Sequence, residues 1–218
     1  LYYKNFTRNN YVPEILGKKK EDINAIVCHL GGGASVCAIK NGKSYDTSMG
    51  FTPLEGLVME TRCGDIDAAI LPFLMEKEGL DAKGLSDLMN KKSGVYGMTG
   101  ISSDFRDIED AAADNNELAQ VALESYAKRV KKYIGAYAAE MNGVDAVVFT
   151  AGVGENGIGM RADIMANMDF LGMKLDEEAN KVRGKERVIS TEDSKVKILL
   201  IPTNEELMIA RDTLELVK

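Results

Sequence analysis

The stretch INAIVCHLGGGASVCAIKNGKSYDTS, residues 23–48, places three consecutive glycines between two apolar runs and an Asn-Gly pair between the second run and a third. Short apolar runs bounded by turn residues predict β-strands over 23–30, 34–40 and 43–48. Asn41-Gly42 favours a type I′ turn, which needs positive φ at both central residues, so the last two strands are predicted to form a hairpin. Consecutive glycines are costly to order, because glycine loses the most backbone freedom on folding. Gly31–Gly33 therefore need an explanation of their own.

The composition is that of an ordinary globular protein, with 218 residues of which 45% are hydrophobic and 28% charged. A net charge of −7 argues against nucleic acid or an anionic membrane as a partner, and no apolar run is long enough to span a bilayer. The three cysteines include no CxxC pair, which predicts reduced thiols in a cytoplasmic protein. The single histidine and the absence of a cysteine cluster argue against structural zinc.

Beyond residue 48 the pattern changes to helices that alternate with buried strands. Asp65 is predicted to cap a helix that ends at Gly79 and bends or restarts at Pro72, and Asp81 to cap the next helix. The clearest helix covers residues 115–141. Its predicted apolar stripe consists of Leu118, Ala122, Tyr126, Val130, Tyr133, Tyr137 and Met141.

DAVVFT (145–150) and KILLIP (197–202) are predicted to be buried strands, and residues 204–218 a closing helix. Three antiparallel strands followed by α/β alternation predict an α/β fold, with one mixed sheet and helices on its faces. This is the element order of a ribonuclease-H-like, actin-type ATPase domain. The polar, basic residues 1–22 are predicted to be a lead-in segment.

Two glycine-rich segments follow two of the predicted strands. Gly31–Gly33 can bring backbone N–H groups against phosphate oxygens, although a mobile loop without a ligand also fits the sequence. The segment 152–157 follows DAVVFT, precedes a helix around 160–168 and matches the letters of the dinucleotide motif GxGxxG. That motif needs an acidic residue after a further strand, but 171–181 is a turn and polar segment. Two glycine turns after two strands instead indicate a clamp around one nucleotide, as in the sugar-kinase and actin superfamily.

Six segments carry a resemblance to the C-terminal, nucleotide-binding half of the acetokinase family. They are CHLGGGAS (28–35), DTSMGFTPLEGL (46–57), TRCGD (61–65), SSDFRD (102–107), FTAGVGEN (149–156) and PTNEELMIARDT (202–213). The second and last look more like acetate kinases than propionate or butyrate kinases. The resemblance implies reversible phosphoryl transfer from ATP to acetate, giving acetyl phosphate and ADP. It also implies Mg²⁺ or Mn²⁺ as cofactor and a cytoplasmic homodimer.

The resemblance implies roles for individual residues. The phosphate-binding strand and turn are matched by His29, Leu30, Gly31, Gly32 and Gly33, and the second nucleotide loop by Gly152, Val153, Gly154, Glu155 and Asn156. The adenosine-side segment is matched by Asp104, Phe105 and Arg106. The last three also fit a helix start capped by Ser103 or Asp104, and both interpretations can hold. His29 is equally explained as a hydrogen-bonded histidine at a strand end.

Arg62 is the expected catalytic residue, because an arginine fork neutralises charge on three equatorial phosphoryl oxygens better than a lysine does. An arginine in a loop is usually only solvated, but the TRCGD segment (61–65) favours the catalytic role. Three nearby positions depart from the family pattern. Gly32 stands where the family usually has Asn, Glu60 where it usually has Gly, and Cys63 where it usually has Ser. The carboxylate of Glu60, two residues from Arg62, is expected to be able to pair with it and weaken its action.

The closing helix begins with two glutamates that need separate explanations. Thr203 and Glu206 fit a capping box, in which the Glu206 side chain folds back to the N-cap amide. This leaves Glu205 to face the site, and the resemblance implies a magnesium-associated glutamate at that position. The contact is expected through water, because Mg²⁺ keeps much of its hydration.

The resemblance covers only part of the family's length. It implies that residues 23–218 are an ATP-binding C-terminal domain and that residues 1–22 are a remnant of, or link to, a missing N-terminal half. Family members carry a histidine-rich element just before the CHLGGG strand, where FTRNNYV (6–12) stands here, and His29 is the only histidine in the chain. The transition-state histidine is therefore expected to be missing from this chain. Two hypotheses remain open: a piece of a kinase whose acetate-binding half lies elsewhere, inactive by itself, or a catalytically incomplete nucleotide-binding module. A propionate or butyrate kinase is the alternative within the family.

Overall fold

A computed structural model describes the backbone of residues 11–217, without the side chains of Tyr11, Glu205, Leu207, Met208, Arg211, Asp212 and Glu215. The strands are β1 (Ala25–Leu30), β2 (Ala34–Lys40), β3 (Lys43–Thr47), β4 (Ala146–Thr150), β5 (Arg187–Val188) and β6 (Lys197–Leu200). The helices are α1 (Tyr11–Leu16), α2 (Ile70–Glu78), α3 (Ala82–Lys91), α4 (Gly94–Thr99), α5 (Phe105–Ala113), α6 (Glu117–Glu140), α7 (Ala151–Asn156), α8 (Ile158–Met165), α9 (Glu177–Asn180) and α10 (Glu205–Leu216). None of these helices combines the length and apolar character that a membrane span requires.

The six strands form one mixed sheet in the order β3-β2-β1-β4-β6-β5. β1, β2 and β3 pair antiparallel, whereas β4 joins β1, and β6 joins β4, in parallel. Asn41 and Gly42 have φ angles of 52° and 68°, so the predicted type I′ turn is confirmed. The predicted fold class is confirmed as well. The two-residue strand β5, antiparallel to β6, was not predicted because it is too short to show a pattern.

Each face of the sheet carries its own apolar cluster, and the larger cluster lies under α6. On one face α6 packs against α4, α5, α8 and the strands β1 and β2. On the other, Val12 of α1 is 1% exposed and joins Ile23 in a second cluster, and Lys18 Nζ pairs with Asp145 at 2.6 Å. Of the predicted lead-in segment, residues 1–10 lie outside the described residues. Val12, Ile15 and Leu16 of α1 pack against the sheet, and the division of the chain at residue 22 stays a prediction.

The helix predicted after Asp65 begins later, at Ile70, and continues through Pro72 to Glu78. Asp65 does not cap it, because its carboxylate accepts hydrogen bonds from the Gly56 N–H and the Tyr133 hydroxyl, both at 2.8 Å. Pro72 is the third residue of α2, where an amide has no partner within the helix, so it does not interrupt the helix. The cap predicted at Asp81 is confirmed, since its Oδ1 accepts from the Gly84 N–H at 2.7 Å.

The long helix α6 follows the predicted apolar stripe over most of its length. Asn116 caps it and accepts from the Ala119 N–H at 3.0 Å. The prediction is wrong for Leu118, which is 57% exposed, because Ala119 takes the core-facing position in the first turn. Tyr126 is fully buried near the centre of α6, and its ring packs against Phe105 at the start of α5.

Candidate functional site

A cleft of about 620 Å³ lies at the carboxyl ends of β1 and β4. These neighbouring strands run parallel, so the segments that follow them meet at the same sheet edge, where α/β proteins commonly bind ligands. The cleft is lined by Gly31, Gly32, Glu60, Ser103, Asp104, Phe105, Arg106, Glu109, Gly152, Val153, Asn156, Gly157 and Arg183. The structure therefore brings together residues from all three segments that the sequence nominated for the nucleotide.

The first glycine turn contributes only part of its predicted set to the cleft. Gly31 and Gly32 line it, whereas Leu30 is fully buried and Gly33 is not among the lining residues. The Gly31 N–H donates to the Gly33 carbonyl at 3.2 Å, which closes the turn. A Cβ added at Gly33 would lie 3.5 Å from Arg62 Nη1, so Arg62 flanks the turn from outside the cleft.

The second glycine segment is the helix α7, so the prediction of a loop is wrong. Ala151, with φ of 67°, turns the chain from β4 directly into this helix. Gly152, Val153 and Asn156 line the cleft. Gly154 is buried and faces the strands instead. A Cβ there would lie 3.5 Å from the Phe149 carbonyl carbon and 3.7 Å from the carbonyl oxygen of Cys28.

Glu155 ties together the ends of two parallel strands. Its Oε1 accepts from the Ala151 N–H at 2.9 Å and from both the N–H and the hydroxyl of Thr203 at 2.8 Å. The predicted capping box had the Glu206 carboxylate accept from the Thr203 N–H. This part of the prediction is wrong, because the Thr203 N–H donates to Glu155 instead. The side chain of Glu205, the predicted metal residue, lies outside the part of the chain that is described.

His29 lies within the sheet, beside the cleft. It pairs with Ser35 of β2 and Thr150 of β4, and its side chain is buried. Burial lowers the pKa of His29 to about 4, although the charge of Glu155 acts in the opposite direction. The imidazole is therefore neutral at physiological pH, and His29 is not among the residues that line the cleft.

We expect the imidazole of His29 to titrate near pH 4 instead of its ordinary value of 6.5. As the pH falls, the unfolded chain takes up this proton before the folded chain does. The contribution of His29 to the free energy of unfolding is therefore fully present above about pH 6.5 and declines towards pH 4. Because the chain has one histidine, its ring resonances can be followed by NMR without assignment variants. A midpoint near 6.5 would contradict this placement, and His29→Asn should remove the corresponding slope in stability.

Asp104, Phe105 and Arg106 combine a helix start with a wall of the cleft. Asp104 caps α5 by accepting from the Arg106 N–H at 2.9 Å, and its carboxylate also pairs with the Arg106 guanidinium. Hydrogen bonds from Arg106 lower the pKa of Asp104 to about 2. The Phe105 ring is 5% exposed and packs edge-on to Tyr126, with 4.7 Å between ring centroids. The two interpretations of this segment are therefore compatible in space.

Arg62 and Glu60 do not pair as expected. Arg62 Nη1 donates to the Pro53 carbonyl at 3.3 Å, and no carboxylate in the described part of the chain forms an ion pair with it. The Glu60 carboxylate lies over Gly32 instead, where an added Cβ would be 2.7 Å from its Oε2. Two departures from the family pattern thus share one place, because the missing side chain at position 32 leaves room for Glu60.

Two arginines were missed in the sequence: Arg183, which lines the cleft, and Arg161, which is not among the lining residues. Arg161 is fully buried and donates to the Gly154 carbonyl at 2.8 Å and to the side chain of Asn180 at 2.7 Å. It also donates to the Val182 carbonyl at 2.8 Å, so it supports both α7 and the segment that leads to Arg183. Burial lowers the pKa of Arg161 to about 10. These contacts are non-local, and an arginine in a helix ordinarily indicates a solvated face.

Comparisons with known proteins point to one family. The model of the acetokinase family matches residues 4–211. An acetate kinase of Clostridioides difficile (strain 630) is 74% identical over 216 residues, covering 97% of this chain and 54% of that protein. The crystal structure of Porphyromonas gingivalis acetate kinase superposes with a TM-score of 0.92 and 53% identity, over 95% of this chain and 52% of that one.

A propionate kinase from Francisella tularensis subsp. tularensis SCHU S4 is also similar, with a TM-score of 0.86 and 39% identity. The match covers 95% of this chain and 53% of that one. The chain therefore spans about half the length of the relatives that it matches.

Proposed function

The chain belongs to the acetokinase family, and from this premise we propose that it is the nucleotide-binding half of an acetate kinase. The observation that carries the proposal is the shared cleft, in which Gly31, Gly32, Gly152 and the Asp104–Arg106 segment line one space. Bare backbone at glycines admits phosphate oxygens that a side chain would exclude. Glycine-containing segments that follow the neighbouring strands β1 and β4 and line the same cleft match a clamp around one nucleotide.

The proposed reaction transfers the γ-phosphoryl group of ATP to a carboxylate oxygen of acetate. The bond from this oxygen to the γ-phosphorus forms while the bond from the γ-phosphorus to the bridging oxygen breaks, so ADP leaves with that electron pair. Acetate is ionised near neutral pH, since carboxylic acids have pKa values near 4, so no general base is needed. Catalysis then depends on positioning and on neutralising charge, and Arg62, beside the phosphate turn, is the proposed source of positive charge.

ATP or ADP with Mg²⁺ or Mn²⁺ is the proposed ligand. The cation, when bound, neutralises charge on the β- and γ-phosphates. In the described part of the chain no cluster of three or more His, Cys, Asp or Glu side chains could hold a metal ion. A cation held mainly by phosphates, water and one or two carboxylates fits these residues, since Glu60 offers an oxygen ligand at the phosphate turn. Glu205 remains the proposed metal-associated residue.

We further propose that the full-length protein is a cytoplasmic homodimer. Large apolar side chains lie exposed on and just before α2, where Ile66 is 44%, Ile70 37% and Phe73 52% exposed, and exposed apolar surface marks protein interfaces. The cytoplasmic location is supported by the three free cysteines, Cys28, Cys37 and Cys63.

Thermal unfolding with added nucleotides tests the proposed function. With magnesium present, millimolar ADP and ATP should each raise the melting temperature, because a ligand that binds only the folded state stabilises it. AMP, which lacks the phosphates that the glycine segments are proposed to hold, should give a smaller shift. Equal shifts for all three, or none for ADP, would contradict a cleft built for the phosphates of a nucleotide.

A further inference from the structure

Glu60 lies at the phosphate end of the proposed nucleotide cleft. Its backbone N–H donates to the Gly32 carbonyl at 3.4 Å, and its half-buried side chain lines the cleft beside Gly31 and Gly32. A Cβ at position 32 would lie 2.7 Å from Oε2 and 3.0 Å from the carboxyl carbon of Glu60. The carboxylate therefore occupies the space directly above the bare backbone that is proposed to receive phosphate.

This carboxylate has no cationic partner among the described side chains. Arg106, which also lines the cleft, is engaged by Asp104, and Arg62 Nη1 is directed to the Pro53 carbonyl. Burial, and after it the charge of Asp104, raises the pKa of Glu60, in keeping with a carboxylate that lacks a nearby cation.

The charges that line the cleft do not favour a free polyanion. The described lining residues include the carboxylates Glu60, Asp104 and Glu109 and the guanidinium groups Arg106 and Arg183, which is three negative charges against two positive ones. A nucleoside polyphosphate without a cation brings several further negative charges to this place. Like charges at close range repel in a partly desolvated cleft, and a divalent cation between them removes the repulsion.

We propose that Glu60 selects the form of the ligand, favouring a nucleoside polyphosphate complexed with a divalent cation over the same nucleotide without the cation. This inference rests on the proposed function of the cleft. Carboxylate and phosphate oxygens are the ligands that Mg²⁺ prefers, and such sites commonly combine one or two carboxylates with substrate phosphates. The glycine at position 32 is what allows this carboxylate to lie there.

Titration calorimetry of the full chain with ADP, once with magnesium and once with EDTA, tests the inference at low ionic strength, where screening is weak. Glu60→Gln keeps the shape of the side chain and removes its charge. We expect it to tighten binding of metal-free ADP by about fivefold, from the loss of one close like charge, and not to tighten binding of Mg–ADP. The dissociation constant of metal-free ADP divided by that of Mg–ADP should therefore fall.

Two further variants complete the experiment. Glu60→Ala removes the charge without adding an amide and should lower the same ratio. Glu140→Gln makes the same change in net charge at an exposed position outside the cleft, and should leave the ratio unchanged. An unchanged ratio in both Glu60 variants, with ADP still bound, would overturn the inference alone. Absence of ADP binding by the parent chain under both conditions would overturn the proposed function and this inference with it.

Discussion

Gly152→Val is expected to abolish Mg–ADP binding while the fold remains intact. A Cβ at Gly152 meets no other atom within 4 Å, so the protein has room for the side chain. The same position lines the cleft, so the added methyl groups fill space that the phosphates are proposed to occupy. We expect the dissociation constant, measured by titration calorimetry, to rise at least about a hundredfold, which corresponds to about 2.7 kcal/mol.

Gly135→Val is the matched control. Gly135 lies in α6, also has open space around its Cβ position, and does not line the cleft. Both variants place a β-branched residue where a helix has glycine, so their melting temperatures should change similarly. Normal Mg–ADP binding by Gly152→Val, or an equal loss in Gly135→Val, would contradict the assignment of the cleft.

The chain alone is expected to show at most a trace of acetate kinase activity with saturating ATP, acetate and magnesium. It spans about half of its relatives, 54% of the Clostridioides difficile protein for example. Its one histidine is neutral and buried beside Glu155. Removing a single charge-stabilising donor typically costs 10²- to 10³-fold. A chain that lacks several such donors, because it is half of the enzyme, should turn over at least about 10⁴-fold more slowly than a full-length acetate kinase.

Trapping of acetyl phosphate with hydroxylamine gives a sensitive test of this expectation. Arg62→Ala serves as the control, because Arg62 is the only residue of this chain proposed to act on the transferred group. Robust hydroxamate formation that Arg62→Ala eliminates would show that these 218 residues carry a complete site, and the interpretation as half of an enzyme would then be wrong.

The sequence predicted the sheet well because its signals are local. The Asn41-Gly42 turn, the buried runs of β1 and β4 and the cap at Asp81 each depend on a few consecutive residues. Asp65 was misassigned because its partners, Gly56 and Tyr133, are distant in sequence. A cap is a plausible local use of an aspartate, and nothing nearby revealed the non-local one.

The site was predictable in its segments and less so in its side chains. Motif letters place Gly152 and Gly154 together, but the helical conformation of α7 turns Gly152 into the cleft and Gly154 into the core. Arg183 reaches the cleft beside a segment, Asn180 to Val182, that Arg161 of α8 holds by hydrogen bonds. The contact between Glu60 and Gly32 likewise joins two loops, so their shared place could not be recognised from spacing.

If the segments after β1 and β4 bind one nucleotide together, an NMR titration of the chain with Mg–ADP will show it most directly. The backbone amide signals of Gly31, Gly32, Gly152 and Asn156, which line the cleft from both strands, should shift with a single dissociation constant. The amide of Gly135, in α6, should stay in place. Shifts confined to one of the two segments, or separate dissociation constants for them, would contradict a shared nucleotide site.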